Sequence, residues 1–193
     1  MLRKFKSVLG SALILVAGAA YATSTEDEAK LTEDARRMAV KLLDQIRGEV
    51  VREMESSGPL RSIVVCKYSA PELTSVLSRQ NGVRLTRVSL KPRNRSIGEP
   101  DAWEQQVLLD FERRLSRGEK IEALDHAEVV HEPAGRYFRF MKAIPMGQAC
   151  VSCHGTNISE ATKASLAVEY PYDKAVDFSI GQIRGAVSVK KPL

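Results

Sequence analysis

Apolar positions recur along this chain at two spacings, and each spacing maps onto one kind of element. Leu31, Ala35, Met38, Leu42, Ile46, Val50 and Met54 follow one another at steps of three or four. That is the period of a single helix face, so the stretch reads as one long amphipathic helix. Thr25 followed by Glu26, Asp27 and Glu28 marks its start, with acids suited to a first turn, and Gly58-Pro59 marks its stop. Ile63–Tyr68 is a short apolar segment around Cys66, and Pro71 suits the first turn of a helix running to about Arg79. Asn81-Gly82 signals a turn, after which Val83 to Leu90 alternates with period two and reads as a half-buried strand.

A polar loop from Lys91 to Pro100 leads to a second amphipathic helix. Asp101 opens it, Trp103, Val107, Leu108, Phe111 and Leu115 form its apolar face, and Gly118 ends it. His126–His131 and Arg136–Ile144 read as two strands of a hairpin joined through Glu132-Pro133-Ala134-Gly135. Ser159–Leu166 is a short helix and Ile183–Lys190 a last strand. Helices followed by an antiparallel sheet with helical insertions predict an α+β, sensor-like fold rather than an all-helical one.

The N-terminus follows a different pattern. Arg3, Lys4 and Lys6 precede an uncharged apolar run from Val8 to Ala20, and Ala20-Tyr21-Ala22 supplies small residues before a cut after about Ala22. This is the layout of a secretory signal, with a centre too short for a comfortable membrane span. The chain then divides into residues 1–22, a signal peptide, and residues 23–193, one domain of ample size for its own core. The expected location is the periplasm, with no stable membrane span after cleavage. The signal holds three of the 29 basic residues and none of the 24 acidic ones, so the formal charge falls from +5 to +2 on its removal. Nucleic acid is therefore not an expected partner. A local basic stretch remains in Arg84, Arg87, Lys91, Arg93 and Arg95, which reads first as a solvated strand-and-loop face. The sharper reading makes some of these arginines counter-ions for the carboxylates of a bound group or for an acidic partner.

The chemistry concentrates in residues 150–154, Cys-Val-Ser-Cys-His. A Cys-x-x-Cys-His run is the attachment site of a c-type haem, in which two thiols add to the porphyrin vinyl groups and the adjacent imidazole reaches the iron. Haem of this type is attached outside the bacterial inner membrane, so motif and signal support each other. Cys150, Cys153 and Cys66 are the three cysteines. A thioredoxin-like redox pair fits His154-Gly155 less well, and a closed zinc site would want a second Cys-x-x-Cys, which the sequence does not contain.

The residues resemble a known family, the small single-haem c-type cytochromes with a PAS-like fold, related to extracytoplasmic input modules of bacterial receptors. The resemblance runs from about residue 35 to 190. It is carried by Val65-Cys66 with Ala70-Pro71, by Arg93-Asn94, and by Pro100-Asp101-Ala102-Trp103-Glu104. It continues through Cys150-Val151-Ser152-Cys153-His154-Gly155, Tyr170-Pro171-Tyr172-Asp173-Lys174-Ala175 and Gly181-Gln182-Ile183-Arg184-Gly185-Ala186. Arg93-Asn94 runs into Arg95-Ser96 where a proline is more usual.

This resemblance implies a PAS-like antiparallel sheet with a long N-terminal helix and helical insertions. It also implies one covalent haem c, with axial ligation by His154 and a cysteine thiolate at the position of Cys66. Cys66 is also the thiol left over once Cys150 and Cys153 are bonded, and its ordinary alternative is that of a buried, inert small hydrophobe. Competing ligands are His126 and His131, five apart on a strand, Met146, too near Cys150 to reach an opposite face, and Met38 and Met54, which suit a core stripe. Trp103, Phe111, Tyr137, Phe138 and Phe140 are candidate haem walls or ordinary core. Arg136, Arg139 and Lys142 offer no basis for choice as carboxylate partners.

A thiolate ligand favours Fe(III) and a low potential. The expected function is periplasmic electron transfer or redox buffering. The alternative is a haem-based sensor of redox poise or gas, which would act through a separate protein, since no output domain follows the last strand here. Enzyme activity such as a peroxidase is disfavoured, because two strong axial ligands leave no open iron site. The expected partners are a redox protein and, compatibly, a second copy of the chain.

Overall fold

The computed structural model describes residues 25–193; the expected signal peptide lies outside the described residues. Helix α1 spans Thr25–Val64 and buries Ala35, Leu42 and Ile46 of the stripe read from the sequence, together with Ala39, which that stripe did not include. Gly58, at φ 78° and ψ −179°, breaks the helical path as expected, yet the chain does not leave the helix there. Pro59 sits in the first turn of a restarted helix, where its missing N–H costs nothing, and Ser62 Oγ donates to the Gly58 carbonyl at 3.1 Å. The segment around Cys66 is thereby helical. It passes into a π-helical turn, Val65–Ser69, and on without a break into α2, Ala70–Asn81. Gly82, at φ 60°, caps α2 in the left-handed conformation that glycine adopts freely.

Strand β1, Arg84–Val88, follows, then a short helix α3, Arg95–Gly98, within the expected loop. Helix α4, Ala102–Ser116, opens on a reciprocal cap. The Asp101 carboxylate accepts from the Glu104 amide, and the Glu104 carboxylate accepts from the Asp101 amide, both at 2.8 Å. The hairpin is β2, Asp125–Glu132, and β3, Gly135–Pro145. Helices α5, Val151–His154, and α6, Glu160–Glu169, precede β4, Ile183–Pro192. The four strands form one antiparallel sheet in the order β1-β4-β3-β2. This is the expected α+β, PAS-like sheet with its long N-terminal helix.

Strand alternation sends two cores to the two faces. Leu85, Phe138, Phe140, Val187 and Val189 pack against α1 and α2. Val88, Met141, Ala143 and Ala186 pack against Val107, Leu108 and Phe111 of α4. On the α4 side a buried Arg139 is held by Asp101 at 2.7 Å and Glu104 at 3.3 Å, with its guanidinium 4.3 Å from the Trp103 ring centroid. The sheet loses regularity at Ile144/Pro145, and there Gly185 lies so close to β1 that a Cβ would stand 2.3 Å from the Val88 carbonyl oxygen.

Gly185→Ala is expected to lower stability by about 1–3 kcal/mol through this backbone clash, read as a shift in urea midpoint. The Asp101 carboxylate is held below its usual pKa: burial opposes this, but the Arg139 hydrogen bond and the Glu104 amide outweigh it. Its contribution is therefore present above the unfolded carboxylate value of about 3.9 and lost as pH falls below it. Asp101→Asn should flatten the acid limb of a stability–pH profile.

Candidate functional site

Cys150, Cys153, His154 and Cys66 line one cleft, on the α1 side of the sheet at its irregular end. A single helical turn gathers the first three, rather than the loop expected there: a 3-10 turn over Gln148–Cys150 leads into α5. Helical winding places Cys150 and Cys153, three apart, on a common face. The turn closes with Gly155 N–H donating to the Val151 carbonyl at 2.9 Å. A Cβ on Gly155 would lie 2.6 Å from that oxygen, so the glycine is required by close approach. Cys66 enters from the π-helical turn, a local over-winding that recurs at functional positions.

The segment after α6 fixes the imidazole. The Ala175 carbonyl lies 2.7 Å from His154 Nδ1 and can only accept, so Nδ1 carries the proton. Arg184 Nε stands 3.2 Å from the same nitrogen, which then has no lone pair to offer it. We therefore read that contact as a close approach of like polarity rather than a hydrogen bond. The consequence is a tautomer with its free lone pair on Nε2, the usual arrangement of a metal-binding histidine oriented by a carbonyl. Phe178 N–H donates to the His154 carbonyl at 3.0 Å, and the two rings meet edge to face at 6.4 Å.

Arg93 ties this arrangement together. Its Nε donates to Asp173 Oδ2 at 2.9 Å, and its Nη2 donates to the carbonyls of Cys153 at 2.5 Å and Ala175 at 3.1 Å. Both partners of the Arg93–Asp173 ion pair are buried, with side chains 8% and 11% exposed.

The titratable groups of the cleft are pushed towards neutrality. Burial raises the Cys66 thiol above its ordinary value, against the opposing charges of Arg87, Arg93 and Arg184. Burial likewise raises Cys153. Burial, reinforced by Arg184 and Arg93, holds His154 well below the usual imidazole range. Tyr170 is pushed up to about 12, chiefly by burial, and Arg184 down to about 10, by burial and then by Arg93. Two thiols on one helical face, a third across the cleft and an imidazole with Nε2 free form a donor set that suits a covalently held group with a two-ligand metal. Among the described residues, no three His, Cys, Asp or Glu side chains are grouped to cage a metal ion by themselves.

The sequence profile of the Tll0287-like family matches residues 25–192, nearly all of the described chain. The chain belongs to the Tll0287-like family. A solved structure, that of the cyanobacterial heme-protein Tll0287, is similar with a TM-score of 0.62 and 24% identity, covering 88% of this chain and 96% of that one. At that identity the likeness speaks for the fold. Comparison with curated proteins gives no match.

Within this Tll0287-like fold the other candidate residues read from the sequence separate by position. None of Trp103, Phe111, Tyr137, Phe138 and Phe140 lines the cleft. Phe138 and Phe140 fill the α1 core, Phe111 the α4 core, and Trp103 donates to Glu128 at 2.9 Å. Apolar side chains of α1 form the wall instead, among them Leu43, Ile46, Val50 and Met54, the last three from the stripe read from the sequence. His126 and His131 lie on β2, at the sheet edge outside the cleft, and neither Arg136, Arg139 nor Lys142 lines it. Met146 is buried behind the site with Ala175 and Phe178. The basic stretch splits: Arg84 on β1 and Arg95 in α3 are exposed, whereas Arg87 on β1 and Arg93 in the loop after it line the cleft. Arg184 and Tyr170 were not singled out by pattern. Their signal lay only in the motif runs around them, because an arginine on an alternating strand reads as solvent-facing.

Removing one member of the buried pair, as in Asp173→Ala, is expected to cost about 3–5 kcal/mol of unfolding free energy, measured by urea denaturation. Among the described residues no helix is long and apolar enough to cross a membrane.

Proposed function

We propose that this protein binds one haem c in the cleft and serves as an extracytoplasmic redox protein rather than an enzyme. The observation that carries the reading is the convergence of all three cysteines and His154 on one cavity, with the imidazole held as its Nδ1–H tautomer. Cys150 and Cys153 would hold the porphyrin by thioether bonds, and His154 Nε2 and the Cys66 sulfur would serve the iron. The haem supplies one-electron chemistry between Fe(III) and Fe(II); this chain's residues bind it, exclude water and set its potential.

Cys66 is a neutral thiol in the protein alone, so ligation would release its proton. An anionic sulfur ligand favours Fe(III), which points to a low potential. The apolar wall of α1 limits solvent around the site. The resemblance to the structure of a heme-protein agrees with this reading. The signal-like pattern of residues 1–22 supports a periplasmic location for this function.

A second reading, sensing through a partner, draws on the position of Cys66. The thiol sits within one helical path between Gly58 and Asn81, so a change in its bonding would act directly on α1 and α2.

Protein exported from cells able to mature c-type cytochromes should be coloured and heavier than the polypeptide by one haem. Its oxidised EPR spectrum should show a low-spin thiolate ligand, lost in Cys66→Ser. Cys66→Met should raise the potential. Colourless protein at the bare polypeptide mass would end the proposal.

A further inference from the structure

Three guanidinium groups line the sheet side of the cleft: Arg87 from β1, Arg93 from the following loop and Arg184 from the start of β4. Their surroundings differ in one respect. Arg93 has its own counter-ion, the Asp173 carboxylate at 2.9 Å. Arg184 has only neutral acceptors, Ser89 Oγ at 3.0 Å and the Lys91 carbonyl at 3.3 Å. The Arg87 side chain, by contrast, makes no ion pair or hydrogen bond among the described residues, although its backbone is paired with β4 at Val187. Three guanidiniums against one carboxylate leave an excess of two positive charges on this wall.

Uncompensated charge in a poorly hydrated site is unfavourable, and proteins retain it where a ligand brings the opposite charge. Arg47 also lines the cleft, but from an exposed position where water already solvates it. Arg87 and Arg184 lie on neighbouring antiparallel strands near one end of the sheet, β1 ending at Val88 opposite Ala186. The planar fork of each guanidinium matches a carboxylate in two parallel hydrogen bonds.

We propose that Arg87 and Arg184 bind the two carboxylate side chains of the tetrapyrrole, while Arg93 is reserved for the fold. This assignment rests on the haem reading above and adds to it which residues recognise the acidic edge. It also gives Arg184 two roles. Its charge stands beside the imidazole while its remaining N–H groups are available to the ligand.

The test separates the assignment from the reading beneath it. Full-length chain from cells lacking the haem-attachment machinery is titrated with haemin and with haemin dimethyl ester, which lacks both negative charges, and followed by Soret absorbance. Wild type should prefer the diacid by about tenfold or more. Arg87→Gln and Arg184→Gln should each reduce that preference, while Arg47→Gln keeps it. Arg87→Lys and Arg184→Lys, which conserve charge, should retain part of it and replace the glutamine variants if circular dichroism shows those unfolded. Equal affinity of wild type for acid and ester, or an undiminished preference in both arginine sites' variants, would overturn the assignment while the haem reading stands. Failure of both pigments to bind would overturn both.

Discussion

The buried ion pair between Arg93 and Asp173 is the constraint on which the site depends. Its guanidinium reaches three stretches of chain that are distant in sequence: its own loop after β1, the Cys153 carbonyl of the cysteine–histidine turn, and the 173–175 segment. Asp173 in turn accepts from the Ala175 amide at 2.7 Å. The carbonyl that orients His154 is therefore held from both sides of its own residue. An imidazole tautomer, a purely local property, is set here by an electrostatic contact between residues 80 positions apart.

Around that contact the cleft balances two opposed tendencies. Burial drives thiols and imidazole to their neutral forms, while the neighbouring arginines favour anions. In the protein alone burial prevails, leaving soft, uncharged donors beside fixed cations. Such a wall is matched to a group that is apolar over most of its area and anionic at one edge. The two cores on opposite faces of the sheet keep this wall rigid, since β1, β3 and β4 are packed on both sides.

The parts of this arrangement legible in sequence were those governed by neighbours along the chain. Helical stripes, the Gly58-Pro59 break, the Asn81-Gly82 turn and the hairpin all follow from local periodicity and backbone chemistry. The Cys-x-x-Cys-His motif was legible for the same reason, although its helical winding was not. What escaped was decided by which sheet face the cleft opens on. Arg87 shares parity with Leu85 and so turns inward, yet the same alternation with the other face buried would have left it in water. The aromatic residues were readable as wall or as core, and the sheet pleat that buries Phe138 and Phe140 under α1, with the face of α4 that buries Phe111, decides for core. Restart of the helix at Pro59 was also hidden, because a glycine–proline pair marks an end and a beginning equally well.

The π-helical turn that carries Cys66 has a consequence for chain length. Its bond from the Ala70 amide to the Val65 carbonyl spans five residues instead of four, so one amino acid is accommodated as a bulge between two regular helices. Each residue of an α-helix turns the chain by about 100°. Losing the extra position would rotate everything upstream relative to α2, swinging the sulfur off the cleft or prising α1 from the sheet. Between Pro59 and Pro71 the count of residues is therefore as constrained as the identity of Cys66 itself.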